Sequence, residues 1–149
     1  MLFLYANLKI MDGKGYSALV DRSIRMVRYM VSALRATGAF EAVLEPITNI
    51  LLYRYLPKEG GLRAAALAGR VLSAEQNAAV DAANVALQDA QKCAGRTFVS
   101  RTTLFSSAQG VRLMGLSVVI ANPLTTKQDI DDTLADQLAI AACACSLEG

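Results

Sequence analysis

The sequence holds no histidine. The commonest nucleophilic and general acid–base triads need an imidazole to carry the proton, so they are closed to this chain. The cysteines are Cys93, Cys143 and Cys145, an odd set of three. Without a histidine they do not complete a tetrahedral zinc set, and Cys143-Ala144-Cys145 alone defines neither a metal nor a redox site. Free thiols in a reducing cytosol are the expectation. Asp131 and Asp132 are adjacent on a helix, so they point apart and are expected to be solvated. Gly13-Lys14-Gly15 lacks the length of a phosphate loop, and Gly60-Gly61 reads as a turn. There is no HExxH and no CxxC. The residues therefore offer no catalytic constellation and no metal site.

Arg22, Arg25 and Arg28 form a short basic series spaced by three on one helix. A nucleic-acid interface needs a basic stripe with accessible aromatics. The net charge here is only +2, from 15 basic and 13 acidic residues. A solvated helix face is the plainer explanation, and nucleic acid is not an expected partner.

A chain of 149 residues makes one domain or one compact piece of a larger one. That length buries a real core, hiding roughly 70% of the unfolded surface. The apolar fraction of 54% is above the usual range. Alanine-rich helices account for this most simply; a face that meets a partner is the sharper alternative. Met1 to Met11 is apolar but lacks the basic start and cleavage region of a signal peptide. It is too short to span a bilayer, and no later run qualifies. It reads as a buried helix or strand of a soluble, cytoplasmic protein.

The elements follow from periodicity. After Asp12-Gly13-Lys14-Gly15, the residues Tyr16, Leu19, Val20, Ile24, Val27, Val31 and Leu34 recur at helical spacing up to Gly38. Phe40 to Glu45 alternates as a half-buried strand, ended by Pro46. Asn49 to Leu56 is a second strand, and the short connection allows a hairpin. Leu62 to Leu72 is either a loop or a helical turn. Ser73-Ala74-Glu75-Gln76 fits a capping box. The helix it opens puts Val80, Ala83, Leu87 and Ala90 on one face, with Gly95 at its C-terminal cap. Thr97 to Leu104 is a third strand and Ser106 to Gly110 a turn. Val111 to Ile120 is a fourth strand, central by its apolar end. Thr125 or Thr126 caps a last helix with the inner stripe Ile130, Leu134 and Leu138. Its tail from Ala139 is expected to fray. The order predicts an α+β fold: a small, mostly antiparallel sheet with helices packed on one face.

Several segments, taken in order, carry a resemblance. Lys14-Gly15-Tyr16, Ala18-Leu19-Val20-Asp21 and Arg28-Tyr29-Met30 open it. Phe40-Glu41, Glu45-Pro46 and Asn49 through Pro57 follow. Then come Gly95-Arg96-Thr97-Phe98-Val99-Ser100 with Thr102. Val119 through Thr126 with Asp129-Ile130 complete it. Together they resemble the C-terminal small domain of the group II pyridoxal-phosphate-dependent amino-acid decarboxylases. This family includes glutamate, aromatic-amino-acid and 2,4-diaminobutyrate decarboxylases, and Asn49 to Pro57 and Asn122 to Thr126 are most similar to the last.

The resemblance implies a parent with the fold-type-I aminotransferase architecture. It implies residues 1–12 as a lead-in helix and 13–149 as the small domain. Pyridoxal phosphate would belong to the parent, held by a large domain whose Schiff-base lysine lies upstream of the matched region. Lys9, Lys14, Lys58, Lys92 and Lys127 match no Schiff-base motif, and no cofactor is expected on this chain alone. The chain would close one side of the active-site cleft and support dimer contacts. Its expected partners are the missing large domain or a second copy of itself. Many family members carry a basic residue shortly before the Asn-Pro turn, where it can pair with the substrate carboxylate. Here Ser117 stands at that position and Asn122 opens the turn, so these two are the candidate substrate-binding residues. Arg112 is an odd number of residues away, on the opposite strand face, and does not substitute. An ordinary strand serine is the plain alternative. A free-standing binding module derived from such an enzyme is the alternative function, and the opening methionine favours it.

Overall fold

The computed structural model describes the backbone of residues 2–107 and 110–145, and the side chains of residues 9–107 and 110–143. Helix α1 (Leu2–Thr37) leads into strands β1 (Phe40–Ala42) and β2 (Ile50–Tyr55). A 3-10 turn (Glu59–Gly61) and a short helix α2 (Leu62–Leu67) come next. Helix α3 (Ala74–Ala94), strands β3 (Ser100–Ser106) and β4 (Val111–Val119) and helix α4 (Lys127–Cys145) complete the order. The strands form one antiparallel sheet in the order β1-β2-β4-β3. The expected α+β class holds, β1 and β2 pair as a hairpin, and β4 is central.

Side chains alternate across a sheet, so Leu51, Tyr53 and Tyr55 share one face. They meet Val27, Met30, Val31 and Leu34 of α1, Leu87 of α3, Leu116 of β4 and Ile130 and Leu134 of α4 in the main core. Phe40 packs edge-on against both Tyr53 and Tyr55, at 5.8 and 5.6 Å between ring centroids. A smaller cluster joins Leu56, Leu62, Ala66, Leu72 and Val80, which settles the ambiguous 62–72 stretch. Its first half is helical because Leu62 and Ala66, four apart, share a buried face.

The caps are local chemistry. Ser73 accepts from the Gln76 N–H while the Gln76 side chain accepts from the Ser73 N–H, completing the capping box. Gly95 ends α3 with φ +68°, a conformation that costs glycine no Cβ clash. Thr126, rather than Thr125, starts α4: its hydroxyl accepts from the Asp129 N–H, and Asp129 accepts from the Thr126 N–H. Helix α1 breaks at Asp12, whose φ is +48°. The Asp12 carboxylate accepts from the N–H groups of Lys14 and Gly15 and so restarts the helix.

Several expectations are corrected. The start of the chain is helical, but Ile10 is 81% exposed, so its described side chains are not buried. Val20 is also exposed, because the core contact of α1 begins further along, at Met26. β1 stops at Ala42, after only three pairs with β2. β3 begins at Ser100 rather than Thr97, since Gln91 and Asp136 hold the Thr97 hydroxyl outside the ladder. Ala90 is exposed. The tail from Ala139 stays helical through Cys145, with Ala141 in the core.

Candidate functional site

The sheet face opposite Leu51, Tyr53 and Tyr55 carries Ser117, one of the two candidate residues. Ile50 and Val119 are paired there and are 46% and 57% exposed. Leu44 and Ile47, in the connection beside them, are also exposed. Ser117 lies on this face, half-buried, between Leu52 of β2 and Ser100 of β3. Asn122 follows the strand and is exposed. Its side-chain oxygen accepts from the Leu124 N–H and its carbonyl from the Thr125 N–H, so it serves the turn. Among the described residues no hydrogen bond joins Ser117 to Asn122. Arg112 is exposed, and alternation along β4 places it on the opposite face from Ser117.

The turn is clamped from a distance. Arg22 donates to the carbonyls of Pro123 and Thr125, at 2.7 and 3.2 Å. One member of the arginine series therefore anchors the Asn-Pro loop to α1 instead of being merely solvated. Arg25 and Arg28 are exposed, as expected. Asp132 is also exposed, but Asp131 accepts the Tyr29 hydroxyl and is half-buried. That bond holds the Tyr29 phenol above its ordinary pKa.

A buried polar framework supports the sheet. Tyr53 donates to Gln137, Gln137 donates to Gln91, and Gln91 donates to the Thr97 hydroxyl. Thr97 donates in turn to Asp136. Tyr53, Gln91 and Gln137 are fully buried, and burial pushes the Tyr53 phenol far up. The relay ends in a groove of about 780 Å³ lined by Arg96, Thr97, Phe98, Asp129, Asp132 and Asp136.

The β2–β4 ladder ends at Tyr53 and Leu116. Beyond it α3 supplies what a strand would have supplied. Asn84 accepts from the Tyr55 N–H and donates to the Tyr55 carbonyl, and Asp81 accepts from the Met114 N–H. Burial holds the Asp81 carboxyl above its usual range, against the pull of the Met114 N–H and of Arg54. Arg54 is 1% exposed, paired with Glu41 and donating to Asn77. Periodicity did not reveal these groups. Asn77, Asn84 and Gln91 recur every seven residues on the same stripe as Val80 and Leu87, and that recurrence was the available signal.

Cys93 and Cys143 are exposed free thiols, and the Cys145 side chain lies outside the described residues. Among the described residues no group of histidine, cysteine, aspartate or glutamate could hold a metal ion. No described helix is long and apolar enough to cross a membrane.

The fold is a four-stranded antiparallel α+β unit shared with part of known amino-acid decarboxylases. No family model matches the chain. Its sequence is 33% identical over 143 residues to the aspartate 1-decarboxylase of Aliivibrio fischeri, covering 95% of this chain and 26% of that protein. Its fold matches mouse CSAD with a TM-score of 0.74 and 21% identity, over 93% of this chain and 27% of that one. It matches Oryza sativa TDC, solved with PLP and tryptamine, with a TM-score of 0.70 and 15% identity, over 93% and 26%. It also matches the glutamate decarboxylase domain of diaminobutyrate-pyruvate transaminase and L-2,4-diaminobutyrate decarboxylase from Vibrio parahaemolyticus. There the TM-score is 0.68 and the identity 17%, over 93% and 25%. The chain thus spans about a quarter of the length of each of these proteins.

Proposed function

We propose that this chain is the C-terminal small domain of a cytoplasmic, pyridoxal-phosphate-dependent amino-acid decarboxylase. In this reading residues 1–12 are the lead-in helix and 13–149 the α+β unit. The domain closes one side of the active-site cleft and supports dimer contacts, and it is not catalytic alone. The observation that carries the reading is the similarity itself: nearly the whole chain aligns with one quarter of a decarboxylase. The apolar sheet face around Ile50 and Val119 supports it, because a missing large domain would cover that face.

The residues present do not make a pyridoxal-phosphate site. Lys9, Lys14, Lys58, Lys92 and Lys127 are all exposed, and none stands in the dry recess that a reactive amine requires. The cofactor is accordingly assigned to the missing part of the parent. In this reading Ser117, on the sheet face opposite the main core, donates its hydroxyl to the substrate carboxylate. Asn122 shapes the rim beside it. A hydroxyl is a weaker holder than a bidentate guanidinium, so the substrate needs further anchoring from the large domain.

An antibody raised to this chain tests the reading in the source cells. A band several times larger than 15.9 kDa identifies the parent. That parent should release carbon dioxide from one of aspartate, glutamate or 2,4-diaminobutyrate only with pyridoxal phosphate present. In it, Ser117→Ala should raise KM about fivefold, the worth of one hydrogen bond, with a smaller change in kcat. A band near 15.9 kDa would end the decarboxylase role and leave a free-standing binding module.

A further inference from the structure

Strand register sets a second hydroxyl beside Ser117. Ser100 of β3 is its direct partner across the sheet on one side, and Leu52 of β2 is its partner on the other. Directly opposed residues of an antiparallel pair share a face, with Cβ atoms about 4.5–5.5 Å apart. The neighbours fix which face this is. Arg101 is opposite Leu116 of the main core, and its guanidinium reaches Asp89 of α3 at 3.1 Å. Ser100, one residue earlier, therefore points away from that core, as Ser117 does. Ser100 is exposed and Ser117 half-buried. Among the described residues no hydrogen bond holds either hydroxyl. Charge on this face is already paired. Among the described strand residues it carries only Arg54 and Glu41, which are bonded to each other. Arg54 also donates to Asn77 and is 1% exposed, so it is closed to a ligand. Thr102 lies one row further along, opposite Gly115. It stands diagonal to Ser117, at about 7–8 Å, too far to share one small group with it.

We infer that Ser100 is a second specificity-determining residue of the proposed substrate site. It donates to one oxygen of the substrate carboxylate while Ser117 donates to the other. The inference rests on the decarboxylase reading and on the place of Ser117 in it. A carboxylate offers two acceptor oxygens, each able to take an O–H···O bond of about 2.7 Å. Hydroxyls on two adjacent strands reach it from either side. The pair supplies the two-point geometry of a guanidinium fork without its charge. Contacts of this kind form with the bound substrate as well as with the transition state, so their loss appears in KM rather than in kcat.

Steady-state kinetics on the intact parent enzyme tests it, with Ser100→Ala, Ser100→Thr and the double variant Ser100→Ala/Ser117→Ala. Ser100→Ala should raise KM about fivefold and leave kcat within about twofold. Ser100→Thr keeps a hydroxyl on a residue that strands favour, and its KM should stay within about twofold of wild type. The double variant should raise KM about 25-fold, because each hydroxyl holds its own oxygen. Thr102→Val, one row away, should leave KM within about twofold. An unchanged KM in Ser100→Ala, in a parent that still decarboxylates its substrate, would overturn the inference and leave the decarboxylase reading standing. An equal rise in Ser100→Thr would also overturn it, since the residue would then matter for packing. A double variant no worse than either single one would overturn the two-oxygen arrangement. A parent without pyridoxal-phosphate-dependent decarboxylation would end the reading itself, and the inference with it.

Discussion

At the scale of single residues, buried polar groups decide more than the hydrophobic pattern suggests. Arg54 is charged, fully buried and held by Glu41 and Asn77. Such a group is costly to bury and costlier to orphan. Arg54→Ala is expected to destabilise the fold by about 3–5 kcal/mol, measured by urea unfolding. Arg54→Met should cost clearly less, because it refills the volume and leaves Glu41, 22% exposed, partly in water. Asp81 gives a pH signature. Burial raises its folded pKa above the ordinary carboxylate value, so the fold disfavours the ionised form. No penalty exists below the unfolded pKa. The penalty grows as pH rises through that value to the raised folded one, then stays constant. Asp81→Asn keeps an oxygen for the Met114 N–H but removes the titration. Its stability relative to wild type should therefore rise as pH increases through the ordinary carboxylate range and beyond it, and then level off, in parallel thermal melts.

At the scale of elements, the helices are stopped and started by short-range chemistry, while the strands depend on their neighbours. Ser73 and Gln76 satisfy two exposed N–H groups at the start of α3. Ser73→Ala should cost about 1 kcal/mol by denaturant unfolding. The change should be felt in both cores, because α3 sends Val80 to one cluster and Leu87 to the other. The α3 stripe also replaces a missing strand, with Asn84 bonding both backbone groups of Tyr55. Gly115 lies just past the end of the β2–β4 ladder, close against β2. A Cβ there would sit 3.3 Å from the Tyr53 carbonyl oxygen, so glycine permits the close approach.

At the scale of the whole molecule, one face of the sheet packs on the main core, and the other is buried at Arg54 and Leu113 and exposed at Ile50 and Val119. Ile50 and Val119 are paired and exposed at one end of that face, and Leu44 and Ile47 in the β1–β2 connection are exposed as well. In the proposed parent these exposed apolar side chains would be covered by the large domain. Val119→Lys should reduce binding of a hydrophobic dye to the isolated chain while changing stability by no more than about 0.5 kcal/mol. In the proposed parent the same change should impair docking of the two domains and lower activity. Unchanged activity there would leave the face without the role proposed for it.

The sequence by itself determined what depends on neighbours along the chain. The α1 stripe from Val27 to Leu34, the Ser73 capping box, the Gly95 cap, the β1–β2 hairpin and the apolar centre of β4 were all legible. Their signals are periodicity, capping chemistry and turn residues, each contained in a short window. The α+β class follows from their order, and the resemblance to decarboxylases rests on segments of the same kind. Tertiary structure alone decided the rest. Nothing near Arg54 in sequence announces Asn77, and nothing near Tyr53 announces Gln137, 84 residues away. The burial of Asn84 and Gln91 has no local signature, because partners such as Tyr55 and Gln137 lie on other elements. Ser117 was legible as a position, but its place on the face opposite the main core became visible only once Leu52 and Ser100 flanked it. The physical reason is one of range: helix and turn preferences act over a few residues, whereas burial and hydrogen-bond satisfaction are settled between segments brought together by folding.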